Sequence, residues 1–312
     1  MGSWLIPLGA VLALLPQVSS ATALVLGAAI ALAVGNPWSA WTRRAQRALL
    51  PAAVVGLGAA MDLGVVLRTG LQGFAYTVVS IGATMAAGLL LARWLRVGGN
   101  TGTLVSVGTA ICGGSAIAAA APVLQADEHE LTVALGTVFL LNGLALLVFP
   151  PIGQLAGLGQ GQFGVWAALA IHDTSSVVGA AMAYGPRALE QATAIKLARA
   201  LWIVPLVLAL GWARHRRSPA ARARAPRPWF ILGFVVAAAL VTWAPALRPA
   251  GGLVAAAARR AMVLTLFLVG AGLSRPALRQ VGTRPLVLGG LLWLAVSLTV
   301  LGALKVGLIG AP

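Results

Sequence analysis

Long apolar runs separated by short polar stretches fill almost the whole chain. Each run is close to the ~20 residues that a helix needs to cross the hydrocarbon core of a bilayer. No alternation of apolar and polar residues is visible, such as a membrane β-barrel requires. Backbone groups inside lipid must pair within the protein, so these runs predict helices. We predict about eleven spans, with ten as the alternative, at about 2–17, 21–36, 49–66, 71–95, 103–125, 130–155, 163–185, 188–212, 229–246, 253–274 and 285–309.

Composition supports an all-α polytopic membrane protein. The chain is 60% hydrophobic and 9% charged, whereas soluble domains average roughly 25% charged residues. The loops between the predicted spans are short, so we expect residues 1–312 to form one integral membrane domain. The net charge of +16 does not indicate nucleic-acid binding, because the basic residues form short clusters between apolar runs. Such clusters are typical of the signals that orient membrane proteins.

The basic clusters predict an orientation. If every span crosses once, the clusters at 43–47, 93–96, 214–227 and 275–284 fall on one side, which the positive-inside rule makes cytoplasmic. The N-terminus is then cytoplasmic, and the acidic turn Asp127–Glu130 is expected on the opposite side.

The first stretch that could carry chemistry surrounds two adjacent glycines inside a predicted span. Glycine destabilises a helix by about 1 kcal/mol, and backbone groups freed inside lipid find partners where the chain lines a cavity. We therefore predict a broken helix whose N–H groups face an anion. Tight packing of small residues against a neighbouring helix is the alternative. The candidate substrate-binding residues are Thr109, Cys112, Gly113, Gly114 and Ser115.

The second stretch places five consecutive polar residues inside an apolar run. Polar and charged groups at this depth are costly and normally face a cavity or a partner. His172 and Asp173 can exchange protons and are candidates for ion or proton coupling. Thr174, Ser175 and Ser176 are candidates for substrate binding. A polar cluster that only bonds neighbouring helices is the alternative.

Two cations follow in the next predicted span. Lys196 and Arg199 are three residues apart and therefore share a helix face. They could offset the charge of a substrate or pair with Asp173, which makes them candidate substrate-binding residues. Alternatively, both side chains extend to the membrane surface.

Two internal similarities predict repeats. Residues 58–70 resemble residues 270–282, and their separation by an odd number of spans predicts inverted copies with broken helices at mid-membrane. Residues 110–115 resemble residues 170–175, sixty positions later, and the same offset pairs Glu130 with Glu190. The sequence leaves open whether 103–125 and 163–185 cross fully or are re-entrant.

Three motifs resemble those of a known family. GTAICGGSAIAAAAPV at 108–123, FGVWAALAIHDTSSVVGAA at 163–181 and ATAIKLARALWIVPL at 192–206 are similar to signatures of the YeiH-type family, bacterial inner-membrane proteins that carry the label of sulfate exporters. The chain departs from the family pattern at Ala110, Gly114, Asp173 and 174–176. The resemblance covers most of the chain and implies the inner membrane and an inorganic anion.

The residues independently favour a secondary active transporter for a small anion, sulfate-like or organic, driven by an ion or proton gradient. No P-loop motif is present. An anion channel, or an intramembrane enzyme using Cys112 or the His172/Asp173 pair, is the alternative. We expect no enzymatic activity, cofactor, metal site or nucleic-acid partner. Lipid and the small anion are the expected partners, with a coupling proton or sodium ion, and a homo-oligomer is left open.

Overall fold

The computed structural model describes residues 4–215, 229–273, 275 and 281–310, and this part of the chain is helical without a strand. The basic segment 216–228 and six of the thirteen residues in the second copy of the first similarity, residues 274 and 276–280, lie outside the described residues. The helices are α1 Leu5–Ala13, α2 Ser20–Val34, α3 Ser39–Gly58, α4 Leu63–Trp94, α5 Thr101–Ala110, α6 Gly114–Leu124, α7 Glu128–Leu155, α8 Gln160–Ala170, α9 Thr174–Tyr184, α10 Pro186–Ala200, α11 Ile203–His215, α12 Trp229–Trp243, α13 Arg248–Ala271 and α14 Thr283–Lys305.

Membrane-spanning helices are confirmed. Within the described residues, five helical stretches are long and apolar enough to cross a bilayer. They are Tyr76–Trp94, Glu128–Leu155, Pro186–Ala213, Pro245–Ala271 and Thr283–Lys305. The all-α polytopic fold predicted from the apolar runs is therefore correct.

The helices pack as two groups. α13 packs against α2, α3 and α1, and α12 packs against α3. The contact between α1 and α13 has a small apolar core of its own, which includes Ile6, Val263 and Phe267. We call α1–α3, α12 and α13 the peripheral group. The remaining helices, α4–α11 and α14, form the central group. The main apolar core contains most of the buried side chains of this group and also buried side chains of α2, α3, α12 and α13.

α5 and α6 form a re-entrant hairpin. The backbone N–H of Asn100, just before α5, donates to Glu130 Oε1 at 2.7 Å, and Glu130 lies in the first turn of α7, which follows α6. A continuous helix from 101 to 124 would instead separate its ends by about 36 Å. Near the tip, a Cβ on Gly108 would lie 2.7 Å from Cδ1 of Ile117, nine residues later. The chain therefore turns back at residues 111–113, and both ends of the hairpin lie on one side.

α8 and α9 form a second re-entrant hairpin. The rings of Phe163, near the start of α8, and Tyr184, the last residue of α9, stack with centroids 3.7 Å apart. The side chain of Gln160 accepts a 3.0 Å hydrogen bond from the backbone N–H of Arg187. These contacts join the two ends of the segment, so the chain turns back at residues 171–173.

The two hairpins enter from opposite ends of α7. This helix has 28 residues, or about 42 Å at 1.5 Å per residue, and it connects the base of the first hairpin to the base of the second. α5 has 10 residues and α8 has 11, so each arm is about 15–17 Å long. The two arms together span about the 30 Å hydrocarbon thickness. The hairpin tips therefore meet near mid-membrane.

The sixty-residue similarity is a structural repeat. α6 at 114–124 corresponds to α9 at 174–184, and α7 corresponds to α10 and α11 together. Because the two hairpins enter from opposite ends of α7, the copies are inverted. The similarity between 58–70 and 270–282 stays a prediction.

Two expectations need correction. The segments 103–125 and 163–185 do not cross, so they are removed from the predicted count of about eleven crossings. The acidic turn was expected opposite the basic loops, yet Glu130 is bonded to Asn100, and His129 shares a 310 Å³ surface pocket with Arg96 and Arg284. The prediction assumed that 103–125 crosses once, and the hairpin returns the chain to its starting side.

Candidate functional site

The tips of the two hairpins touch beside the middle of α7. A Cβ on Gly113 would lie 3.3 Å from the Cα of Asp173 and 3.2 Å from a methyl group of Val138. The backbone N–H of Asp173 donates to Asn142 Oδ1 at 3.1 Å. Val138 and Asn142 lie near the centre of α7. The break predicted at the glycine pair is thus confirmed, and a second break at the polar run of residues 172–176 lies beside it.

Arg199 connects the two hairpins. Its Nε donates to the carbonyl of Ala110, the last residue of α5, at 2.8 Å, and its Nη2 donates to the same oxygen. Its Nη1 donates to the carbonyl of Leu169 in the last turn of α8 at 3.1 Å. The side chain has no exposed surface. The carbonyls at the ends of two separate helices would otherwise lack hydrogen-bond donors inside the membrane, and one guanidinium supplies donors to both ends.

Lys196 binds only the second hairpin. Its Nζ donates to the carbonyl of Ile171 at 2.7 Å and to that of Ala168 at 3.3 Å. Like Arg199, it is buried, with 1% of its surface exposed. Neither cation extends to the membrane surface, so the alternative proposed from the sequence is wrong.

Asp173 caps the start of α9. Its Oδ2 accepts the backbone N–H of Ser175 at 3.0 Å and also the Ser175 hydroxyl. A carboxylate suits this position because the helix N-terminus carries unpaired N–H groups and a positive partial charge. The cap orients the first turn of α9, which holds Thr174 and Ser176, towards the junction of the tips.

Several buried polar atoms near the two tips have no hydrogen-bond partner among the described residues. Native structures leave few such groups, and each needs a partner such as a solute, an ion or water. His172 lies in the second tip, and Asn142 contacts this tip through Asp173. Both side chains are 1% exposed. The atoms are Thr109 Oγ1, Asn142 Nδ2, His172 Nδ1, His172 Nε2 and Ser176 Oγ.

The remaining candidates differ in their surroundings. Cys112 lies in the first tip and is 2% exposed. Thr174 and Ser175 are buried in the first turn of α9. Gly114 is half-buried, and a Cβ there would lie 3.1 Å from the ring of Phe139. Ser115 is exposed, unlike the polar residues of the second tip. The structure thus gathers most of the predicted residues at one junction and separates Ser115 from the buried set.

Asn142 is not among the site residues predicted from the sequence. It is one amide in a long apolar helix, and its only sequence signal is its polarity at mid-span. The four carbonyls that bind Arg199 and Lys196 gave no signal, because they belong to alanine, leucine and isoleucine residues.

Comparison with known proteins identifies the family. Residues 5–289 match the model of the family described as conserved hypothetical protein 698. A UPF0324 membrane protein of Bdellovibrio bacteriovorus is 54% identical to this chain, and the aligned region covers 97% of this chain and 94% of the relative's length. A UPF0324 membrane protein of Geobacter sulfurreducens is 50% identical, and the aligned region covers 93% of this chain and 92% of the relative's length. No solved structure matches. The chain therefore belongs to the family of conserved hypothetical protein 698, and its resemblance to the YeiH-type membrane proteins is confirmed.

Proposed function

We propose that this membrane protein is a secondary active transporter of a small anion, bound where the two hairpin tips meet. The observation that supports this most is the set of unpartnered polar atoms, because Thr109, Asn142, His172 and Ser176 come from three separate segments and lie around one junction. Inverted repeats whose broken helices meet at mid-membrane are a frequent architecture of secondary transporters.

The charges at the junction favour an anion. Lys196 and Arg199 are two basic side chains and Asp173 is one acidic side chain, and all three are buried. α6 and α9 both begin at the tips, so their N–H groups and positive dipole ends lie at the junction. A small inorganic or organic anion would compensate the remaining positive charge.

Coupling is assigned to the second tip. Asp173 and His172 are the ionisable groups in that turn, and both can exchange a proton. We propose that proton uptake at this turn links anion movement to a gradient across the bacterial inner membrane. The basic loops support a cytoplasmic N-terminus as part of this proposal.

Binding and uptake test the proposal directly. A thermal-shift screen of the purified protein should show stabilisation by sulfate, sulfite, thiosulfate or a small carboxylate, because a ligand that binds only the folded state raises its stability. Proteoliposomes should then accumulate the radiolabelled form of the same anion. Stabilisation by amines or neutral solutes alone, without uptake of any anion, would reject the proposal.

The contact between the two helix groups also favours transport, since alternating access requires one part of the protein to move against another. Along α9, a Cβ on Gly179 would lie 3.4 Å from the Cβ of Ser20 in α2 and 2.7 Å from a methyl group of Leu266 in α13. Gly179 belongs to the hairpin of the central group, and the other two belong to the peripheral group. Movement of the central group would separate this contact.

A disulfide across this contact distinguishes a transporter from a static protein. The distance of 3.4 Å between the Cβ of Ser20 and a Cβ built on Gly179 is close to the 3.5–4.5 Å typical of disulfides. The S20C/G179C pair should therefore cross-link and stop uptake until the disulfide is reduced. The control pair is V55C/G233C, which would join α3 and α12 inside the peripheral group across 3.8 Å. Cross-linking of the control should leave uptake unchanged. Full uptake by the cross-linked S20C/G179C protein would show that this contact stays closed.

The enzyme hypothesis gains no support from the site. Cysteine catalysis needs a general base that withdraws the thiol proton. Among the described residues, neither ring nitrogen of His172 has a hydrogen-bond partner, so the ring does not engage the Cys112 thiol. Cys112 is the only cysteine of the chain.

A further inference from the structure

In transporters with discontinuous helices, the C-terminal ends of half-helices are where coupling cations bind. Their last carbonyls lack intrahelical partners and carry the negative end of the helix dipole. Unwound carbonyls and these helix ends coordinate Na⁺ or take part in proton sites. This protein has two such ends at its centre, the C-termini of α5 and α8.

In this protein, the side-chain cations of Lys196 and Arg199 bind the carbonyls at the C-terminal ends of α5 and α8. The Lys196 ammonium lies on the carbonyls of Ala168 and Ile171, at the end of α8. The Arg199 guanidinium lies on the carbonyls of Ala110 and Leu169, which come from the two different half-helices. All three nitrogens of Arg199 donate to these oxygens. The carbonyls that a free cation would use therefore already have positively charged partners.

The arrangement is one-sided within the inverted repeat. Sixty residues before Lys196 and Arg199, the first copy has Gly136 and Phe139. The geometry of the hairpins is thus repeated, but the cations come only from α10 and serve both tips. This indicates a role specific to the charge at the centre, beyond the support that every hairpin in this fold needs.

We infer that Lys196 and Arg199 are tethered cations that replace free coupling cations at the half-helix ends, so that the protein works without Na⁺. The inference rests on the proposed transport function for its mechanism and narrows the coupling ion to the proton. Its structural part, the occupation of carbonyl sites by Lys196, is testable without any transport.

Removal of the ammonium should create a requirement for a free cation. In Lys196→Ala, the carbonyls of Ala168 and Ile171 lose their partner inside the membrane. We expect a lower Tm in choline or N-methylglucamine buffer, and a Tm that rises with increasing Na⁺ or methylammonium, because a ligand that fills the site stabilises the folded state by mass action. The wild type should have the same Tm with and without these cations.

Lys305→Ala is the matched control. Lys305 is the only other lysine of the chain, and it also donates to a carbonyl at a helix end, that of Ala156 after α7, but it is exposed at the protein surface. Water can replace its ammonium, so the Tm of Lys305→Ala should not depend on Na⁺ or methylammonium. A cation response in both variants would reveal a general salt effect and overturn the inference.

Wild-type protein provides a second measurement that does not require a stable variant. Anion uptake into proteoliposomes should be equal in Na⁺ and in choline, and should follow an imposed proton gradient. Uptake that needs Na⁺, or a wild-type Tm that rises specifically with Na⁺, would overturn the inference while leaving transport established. Absence of uptake for every anion would reject the proposed function, and the Tm response of Lys196→Ala would then still decide whether the ammonium occupies a cation site.

Discussion

The two hairpins have the same architecture but different chemistry. Both consist of two arms of 10–11 residues with a three-residue turn at the tip. In the first, the turn depends on backbone freedom, because Gly113 has φ +65° and ψ −125°. In the second, Asp173 has φ −94° and caps the following helix with its carboxylate. One copy of an inverted repeat can thus keep the shape while the other acquires the ionisable groups.

The cations reinforce this difference. Lys196 and Arg199 belong to the second copy, yet Arg199 reaches across to the last carbonyl of the first hairpin. The first hairpin therefore depends on the second copy for the pairing of its own backbone. This dependence predicts that variants at equivalent positions of the two copies will have unequal effects.

The largest effect is expected from Arg199→Ala. It leaves the carbonyls of Ala110 and Leu169 unpaired, and a buried polar group without a partner costs about 1–3 kcal/mol. We expect a loss of about 2–6 kcal/mol in the free energy of unfolding, measured by thermal or chemical denaturation in detergent, together with loss of uptake. The equivalent variant Phe139→Ala should lower stability by packing loss alone and retain uptake. Equal loss of uptake in both variants would contradict the assignment of charge to the second copy.

Asp173→Asn should separate coupling from folding. Asparagine caps helices about as well as aspartate, so the Tm should change little, whereas gradient-driven uptake should be lost because the amide cannot bind and release the proton. Asp127→Asn is the matched control. Asp127 caps α7 in a capping box with Glu130, far from the tips, and this variant should transport normally. Normal gradient-driven uptake by Asp173→Asn would make the assignment wrong.

Gly113→Ala tests the backbone of the first tip. An alanine at φ +65° is strained, and its Cβ would lie 3.2 Å from Val138 and 3.3 Å from Asp173. Strained backbone conformations cost about 1–3 kcal/mol, so we expect destabilisation of this size in denaturation experiments. Gly290, in α14, provides the control. The methyl group that Gly290→Ala adds would have no neighbouring atom within 4 Å, so stability should not fall. A Gly113→Ala protein as stable as the wild type would show that the tip can adopt another turn.

The smallest effect is expected for single hydroxyl groups. Ser176 is buried and its Oγ has no hydrogen-bond partner among the described residues. Ser176→Ala should therefore keep the Tm but weaken anion binding by about 0.5–1.5 kcal/mol, the net value of one hydrogen bond. Ser115→Ala should leave binding unchanged, because this side chain is exposed. Titration of both variants with the anion found in the thermal-shift screen measures the difference. Weaker binding by Ser115→Ala alone would place the substrate on the outer side of the first tip.

The sequence by itself determined the class of protein and the positions of the breaks. Long apolar runs allow only helices in lipid, because no water is present to pair the backbone. The glycine pair at 113–114 and the polar run at 172–176 marked both tips, and the sixty-residue similarity marked the repeat. These features were visible because each depends on local sequence, through glycine content or polarity within an apolar run.

Only the tertiary structure decided that the broken segments turn back instead of crossing. A break in a helix has the same sequence signal whether the second half continues forward or returns, and the difference depends on contacts such as Asn100 with Glu130 and Phe163 with Tyr184. The partners of Lys196 and Arg199 were hidden for a related reason. They bind backbone carbonyls, which every residue carries, so no side chain in the sequence could indicate them. Asn142 acquires its importance only because the second tip lies against the middle of α7, and this proximity results from packing between segments about thirty residues apart.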